Sequence, residues 1–102
     1  MAKLYVTEYA TLSMNLGGRL TQVAEEPPLA TQVLDTTGGA IASAAFNAKT
    51  RLVRLHCDNI VSFLFGTAPT AGTADSRMAA GQTEYHGINP IAVTKVSGVT
   101  NT

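Results

Sequence analysis

Hydrophobic and polar positions alternate along this chain in short stretches, and no stretch sustains a helical period. Residues 3–9, Lys-Leu-Tyr-Val-Thr-Glu-Tyr, are rich in β-formers. Leu4 and Val6 share one face, Tyr5 and Thr7 the other, so both faces are partly apolar, as in a strand clasped on both sides. Residues 10–28 hold no sustained period and contain Gly17-Gly18 and Glu25-Glu26-Pro27-Pro28. Consecutive prolines exclude a continuing helix and favour extended chain. A short strand at Leu20–Val23 fits this stretch. Residues 1–28 therefore read as an extended N-terminal arm, or as a strand with a long excursion. Leu29 to Asp35 alternates as a strand until Thr36-Thr37-Gly38-Gly39 breaks it. Ala40 to Phe46 is alanine-rich but too short for a stable helix, which predicts a strand with a small-residue face.

The sharpest pattern covers residues 51–66. Val53, Leu55 and Cys57 fall on one face, with Arg54 and His56 opposite; Val61, Phe63 and Phe65 repeat the period after Asp58-Asn59. Two such strands across a short polar link predict a hairpin or a β-corner. Small and polar residues at 67–76 predict a surface loop. Residues 82–88 read as a strand and Ile91 to Val96 as the last one, with 97–102 a polar, fraying tail. The spacing predicts an all-β chain: a single small β-sandwich or jelly-roll-like domain over 29–102, preceded by the arm at 1–28.

Composition sharpens this picture. Seven basic residues balance seven acidic ones, and only 14% of the 102 residues are charged. A neutral chain has no general pull toward nucleic acid or an anionic membrane, and near-zero charge favours association. Aromatics make up 6% and tryptophan is absent, so alanine must fill much of the interior, and a thin core that gains support from neighbours is expected. No apolar run approaches the roughly 18–20 residues that span a bilayer. The single Lys3 and the early Glu8 do not make a secretory signal. One cysteine allows no intrachain disulfide and suits a reducing cytoplasm.

No constellation for chemistry emerges. His56 and Cys57 are adjacent, so on a strand they point to opposite faces and cannot share a metal. Cys57 sits on the apolar face, as a small core residue does. Glu25-Glu26 cannot flank a sugar from two sides, and Asp58, Asp75 and Glu84 lack calcium-loop spacing. Neither glycine pair matches a phosphate loop. No catalytic residue, cofactor or metal is expected. Tyr5, Tyr9 and Tyr85 are of the type enriched at interfaces. Tyr5 and Tyr9 serve either a partner contact or the edge of the protein's own sandwich. Arg51 and Arg54 suit ion pairing at a subunit contact or a surface.

Four segments in order carry a family resemblance: residues 1–9, Arg51 to Asp58, the Phe65-Gly-Thr-Ala-Pro-Thr-Ala loop, and Arg77-Met-Ala-Ala-Gly-Gln-Thr-Glu-Tyr. Over residues 1–96 the chain resembles small structural proteins of tailed bacteriophages, often β-sandwich or jelly-roll proteins that decorate or cement the head shell. The resemblance implies a non-enzymatic virion protein on the capsid exterior, made in the bacterial host cytoplasm. It implies the major capsid protein and further copies of the chain as partners, a trimer first, with no nucleic acid and no membrane. It places Tyr5, Tyr9, Arg51, Arg54, Pro69 and Thr70 at contacts between subunits. Other virion roles, as a head-fibre base, head–tail connector or tail protein, share the resemblance. A carbohydrate-binding module is less well served by a chain without tryptophan.

Overall fold

The alternation at the N-terminus becomes strand β1 (Lys3–Tyr9), whose Leu4 and Val6 are fully buried. The structure, a computed structural model, describes residues 2–14, 17, 19–24, 26–88 and 93–101, and the side chains at all of these except 13, 14 and 20–24. Among the described residues there is no helix. Nine further strands follow: β2 (Leu12–Met14), β3 (Leu20–Ala24), β4 (Ala30–Asp35), β5 (Ile41–Ala42), β6 (Leu52–Cys57), β7 (Val61–Gly66), β8 (Ser76–Met78), β9 (Thr83–Gly87) and β10 (Lys95–Thr100). They form two four-stranded antiparallel sheets, β4-β1-β6-β9 and β5-β10-β7-β8, with β2-β3 as a separate pair.

One pattern of register explains most of the topology. Ala42 opposes Ser97, Leu52 opposes Gly87, and Val61 opposes Met78. The two residue numbers have the same sum in all three pairings. The strand pairs β5-β10, β6-β9 and β7-β8 thus keep the register of one antiparallel ribbon, whose midpoint falls between Pro69 and Thr70. Successive pairs along it land on alternate sheets: β7-β8 in the second, β6-β9 in the first, β5-β10 in the second. A ribbon rolled in this way has the winding of a jelly roll. The turn at Asp58-Asn59 is accordingly a β-corner between sheets, since β6 and β7 do not pair with each other.

β1 fills the first sheet between β4 and β6, in register with both. This strand belongs to the sandwich, and the excursion is the β2-β3 pair inserted between β1 and β4. Of the two readings of residues 1–28, the strand with an excursion describes the pairing. The physical reason is that both neighbours of β1 offer open hydrogen-bonding edges, which an arm would leave unpaired.

The core lies between the sheets: Leu4, Val6, Leu34, Val53, Leu55 and Cys57 from the first meet Val61, Phe63, Met78 and Val96 from the second. Val53, Leu55 and Cys57 are fully buried, as their alternation predicts. Two expectations fail at the C-terminal end. The last strand is Lys95–Thr100, not 91–96; residues 91 and 92 lie outside the described residues, and 93 and 94 are not in a strand. Residues 97–100 do not fray: all four pair with β7, and Ser97 and Gly98 pair with β5 as well. Polar and small residues are buried there because each has a specific role. Ser97 Oγ accepts the Ala71 N–H at 3.0 Å. A Cβ on Gly98 would stand 2.9 Å from Leu4 Cδ2, so only glycine lets the sheets approach this closely. The expected strand at 40–46 is reduced to Ile41–Ala42.

Candidate interaction surface

The two outer faces of the sandwich differ. Over the second sheet the ribbon tip folds back: Ala71 is buried, and Asn101 Nδ2 donates to Ser62 Oγ at 2.8 Å and to Thr73 O at 3.2 Å. Over much of the first sheet nothing comparable lies among the described residues. Alternation and register set what that face displays. One row across the strands reads Val33, Tyr5, His56, Thr83; the next reads Thr31, Thr7, Arg54, Tyr85. Val33 and Tyr85 are each 54% exposed and Tyr5 is 37% exposed, large for side chains of these types.

Tyr5, Val33, Arg54, His56 and Asp58 line an open groove of about 490 Å³ with Thr7, Thr31 and Gln32. The Tyr5 and His56 rings lie 6.2 Å apart, tilted by 45°. His56 Nδ1 hydrogen-bonds Thr83 Oγ1 at 2.8 Å across the strands, which fixes the imidazole at the groove wall. Outside the groove, at the end of β4, Asp35 Oδ1 accepts the Thr37 N–H at 3.0 Å, and this bond holds its carboxyl below the usual carboxylate range. The aromatic rings and the guanidinium on this face are side-chain types enriched at protein interfaces.

The residues expected at contacts are therefore brought together only in part. Tyr5 and Arg54 share the groove. Tyr9 ends the same side of β1 but is 4% exposed, and its hydroxyl donates to Glu26 Oε2 at 3.0 Å. Burial, then that bond, pushes its phenol above the ordinary value. Arg51 precedes β6 and donates to the carbonyls of Ala48 and Thr50. Pro69 and Thr70 sit at the ribbon tip, on the side of the second sheet. Tyr85, an interface-type tyrosine in the sequence, also reaches this face; Val33 and His56 join it unannounced, since each is ordinary within its own segment and only the cross-strand register aligns them with Tyr5 and Arg54.

The remaining candidates for chemistry are structural. Cys57 is buried, its Sγ–H donates to Ala79 O at 3.2 Å, and burial raises its thiol above the ordinary value. His86 packs between Phe63 and Phe65, with centroids 5.2 and 5.3 Å away, and meets Glu84 at 3.1 Å. Among the described residues no group of three or more His, Cys, Asp or Glu is close enough to hold a metal ion. Among the described residues no helix is long and apolar enough to cross a membrane.

Compared with known proteins, the chain matches no family model, no curated protein and no solved structure.

Proposed function

We propose that this chain is a non-enzymatic structural protein of a tailed-bacteriophage virion, a decoration or cement protein that binds the outside of the head shell. The observation that carries the reading is the open face of the first sheet, where Tyr5, Val33 and Tyr85 stand exposed and Arg54 lies half-buried beside them on four paired strands. The resemblance of four segments to small phage head proteins supplies the identity of the partner, the major capsid protein. A neutral chain gains little from long-range attraction. Its hold on a shell comes from many modest contacts repeated over many copies. Loop Thr67 to Asp75, at the tip of the ribbon, offers a second contact region carrying Pro69 and Thr70.

The test is a count of this protein in purified particles of the phage that encodes it, by quantitative mass spectrometry. A cement protein is present in numbers comparable with the shell protein and remains with heads separated from tails. A ring's worth of copies at the neck or tail would assign it to a connector or tail instead. Absence from the particle would overturn the reading.

A further inference from the structure

A β-sandwich must manage four sheet edges, because each presents unpaired backbone groups to any passing strand. Three edges here are blunted. β5 has two residues and β8 has three. β9 turns a hydrogen-bonded polar pair, Glu84 and His86, onto the side of Val53 and Leu55. The fourth edge, β4, has none of these devices. It is six residues long, Ala-Thr-Gln-Val-Leu-Asp, with no lysine, proline, glycine or bulge, and its pairing to β1 is regular.

The phase of that pairing shows which groups are open. Thr36 N–H donates to Ala2 O at 3.0 Å, so the even-numbered residues of β4 bond to β1. The N–H and C=O of Thr31, Val33 and Asp35 point to the open edge. All three residues are exposed. Gln32 closes the inner side of the same edge, its Oε1 accepting the Ala44 N–H at 2.9 Å. This edge is therefore anchored on its inner side and open along its backbone.

We propose that β4 pairs antiparallel with β4 of a second copy of this chain, about a twofold axis at Val33, joining the two first sheets into one continuous sheet. Self-complementarity selects this occupant and this register. Opposed residues share a face in an antiparallel pair, so Val33 meets Val33 of the second copy and Thr31 meets Asp35. Thr31, Val33 and Asp35 all exchange backbone bonds. No like charges are opposed, and the threonine hydroxyl can donate to the carboxylate. On the outer face the row becomes Tyr5, Val33, Val33, Tyr5, which covers the most exposed aliphatic side chain of the strand. The contact is isologous and closes on itself, so it does not propagate into a fibre. This twofold differs from the trimer implied by the resemblance, and it holds whatever the shell-binding role.

Three variants of the full chain, studied beside the wild type, test it. Light scattering on the wild type should give a dimer that dissociates on dilution. Val33→Lys opposes two ammonium groups at the axis and should give a monomer with unchanged circular dichroism and melting, because the side chain is outside the core. Val33→Cys should form a reducible covalent dimer under mild oxidation, since directly opposed bonded residues have Cα atoms about 5.5 Å apart, within disulfide range. Cys57 is buried and does not compete. Thr83→Cys, on the opposite edge of the sheet, should not cross-link. A monomeric or trimeric wild type, a dimeric Val33→Lys, or cross-linking of Val33→Cys no faster than Thr83→Cys would overturn the proposal. A monomer in which Val33→Lys alone abolishes shell binding would likewise overturn it and assign the edge to a strand of another protein.

Discussion

Glu8 Oε1 accepts the hydroxyl of Thr50 at 2.8 Å inside the sandwich, joining residues 42 positions apart. The same oxygen accepts the Asn47 N–H at 2.7 Å, and Oε2 accepts from Gln32 Nε2 at 3.3 Å. Glu8 shares its face with Leu4 and Val6 and is 1% exposed. A buried acid side chain persists only when donors surround it, and two of these donors, Asn47 and Thr50, come from the segment that leads the chain from β5 to β6, with Gln32 from β4. Replacing Glu8 by alanine strands the Asn47 amide and the Thr50 hydroxyl. Each orphaned group costs about 1–3 kcal/mol, so Glu8→Ala should lose about 3 kcal/mol. Thr50→Val should lose about 1 kcal/mol. Urea unfolding at constant m-value measures both; a loss below about 0.5 kcal/mol for Glu8→Ala, the range of an ordinary surface substitution, would contradict the network.

Gly98 and Leu4 set the spacing of the sheets. A methyl group at Gly98 would press on Leu4 Cδ2 at 2.9 Å, Thr36 Cγ2 at 3.3 Å and Val61 Cγ1 at 3.5 Å. Leu4 is fully buried and has nowhere to go. Gly98→Ala should therefore cost about 1–3 kcal/mol. Leu4→Val should relieve part of that cost, so the two changes should be clearly non-additive in a double-mutant cycle. Additive losses would show that the two sheets do not meet at this point.

Alkaline pH should weaken the fold through two groups. Tyr9 and Cys57 both have folded pKa values raised above their ordinary ones, mainly by burial. A raised acid holds its proton more tightly when folded, so its contribution is complete below the unfolded value and is lost as pH rises through the folded one. Stability should fall above about pH 9 to 10, where the unfolded thiol and phenol ionise, and Tyr9→Phe should remove the phenol part. Asp35 acts at the other extreme: its lowered pKa gives a contribution present above the carboxylate range and lost as pH falls below it. The thiol gives a second readout. Cys57 should resist iodoacetamide at pH 8 in the folded protein and react at once in denaturant; rapid labelling of the native state would contradict its burial.

Removing residues 2–9 should unfold the sandwich. An N-terminal arm could be cut without harm, but β1 is hydrogen-bonded along both sides. Circular dichroism should show loss of the cooperative transition, and a folded, cooperatively melting truncation would contradict the central place of β1.

What could be read in advance follows from where each signal lives. Val53, Leu55 and Cys57 were legible because inside and outside alternate within one strand. The β-sandwich class was legible for the same reason, repeated along the chain. The end of β10 was not, because Ser97 and Gly98 look like loop residues until the Ala71 amide and the Leu4 side chain that explain them are in place. The burial of Glu8 carries no local mark either, because its partner Thr50 lies 42 positions away. The placement of β1 between β4 and β6 is a long-range pairing with no local mark. Tyr5, Arg54 and Tyr85 were visible as interface-type residues, but Val33 and His56 join them only through register.

The most direct measurement of the functional reading is co-sedimentation of the purified chain with phage shells lacking it, wild type against Tyr5→Ala and Arg54→Ala. Both side chains lie on the open face and outside the core, so the variants should keep the wild-type melting transition. The wild type should saturate the shells, and each variant should bind at least about tenfold more weakly, the loss of one aromatic or arginine anchor. A wild type that stays in the supernatant, or folded variants that bind as well as it does, would contradict the account.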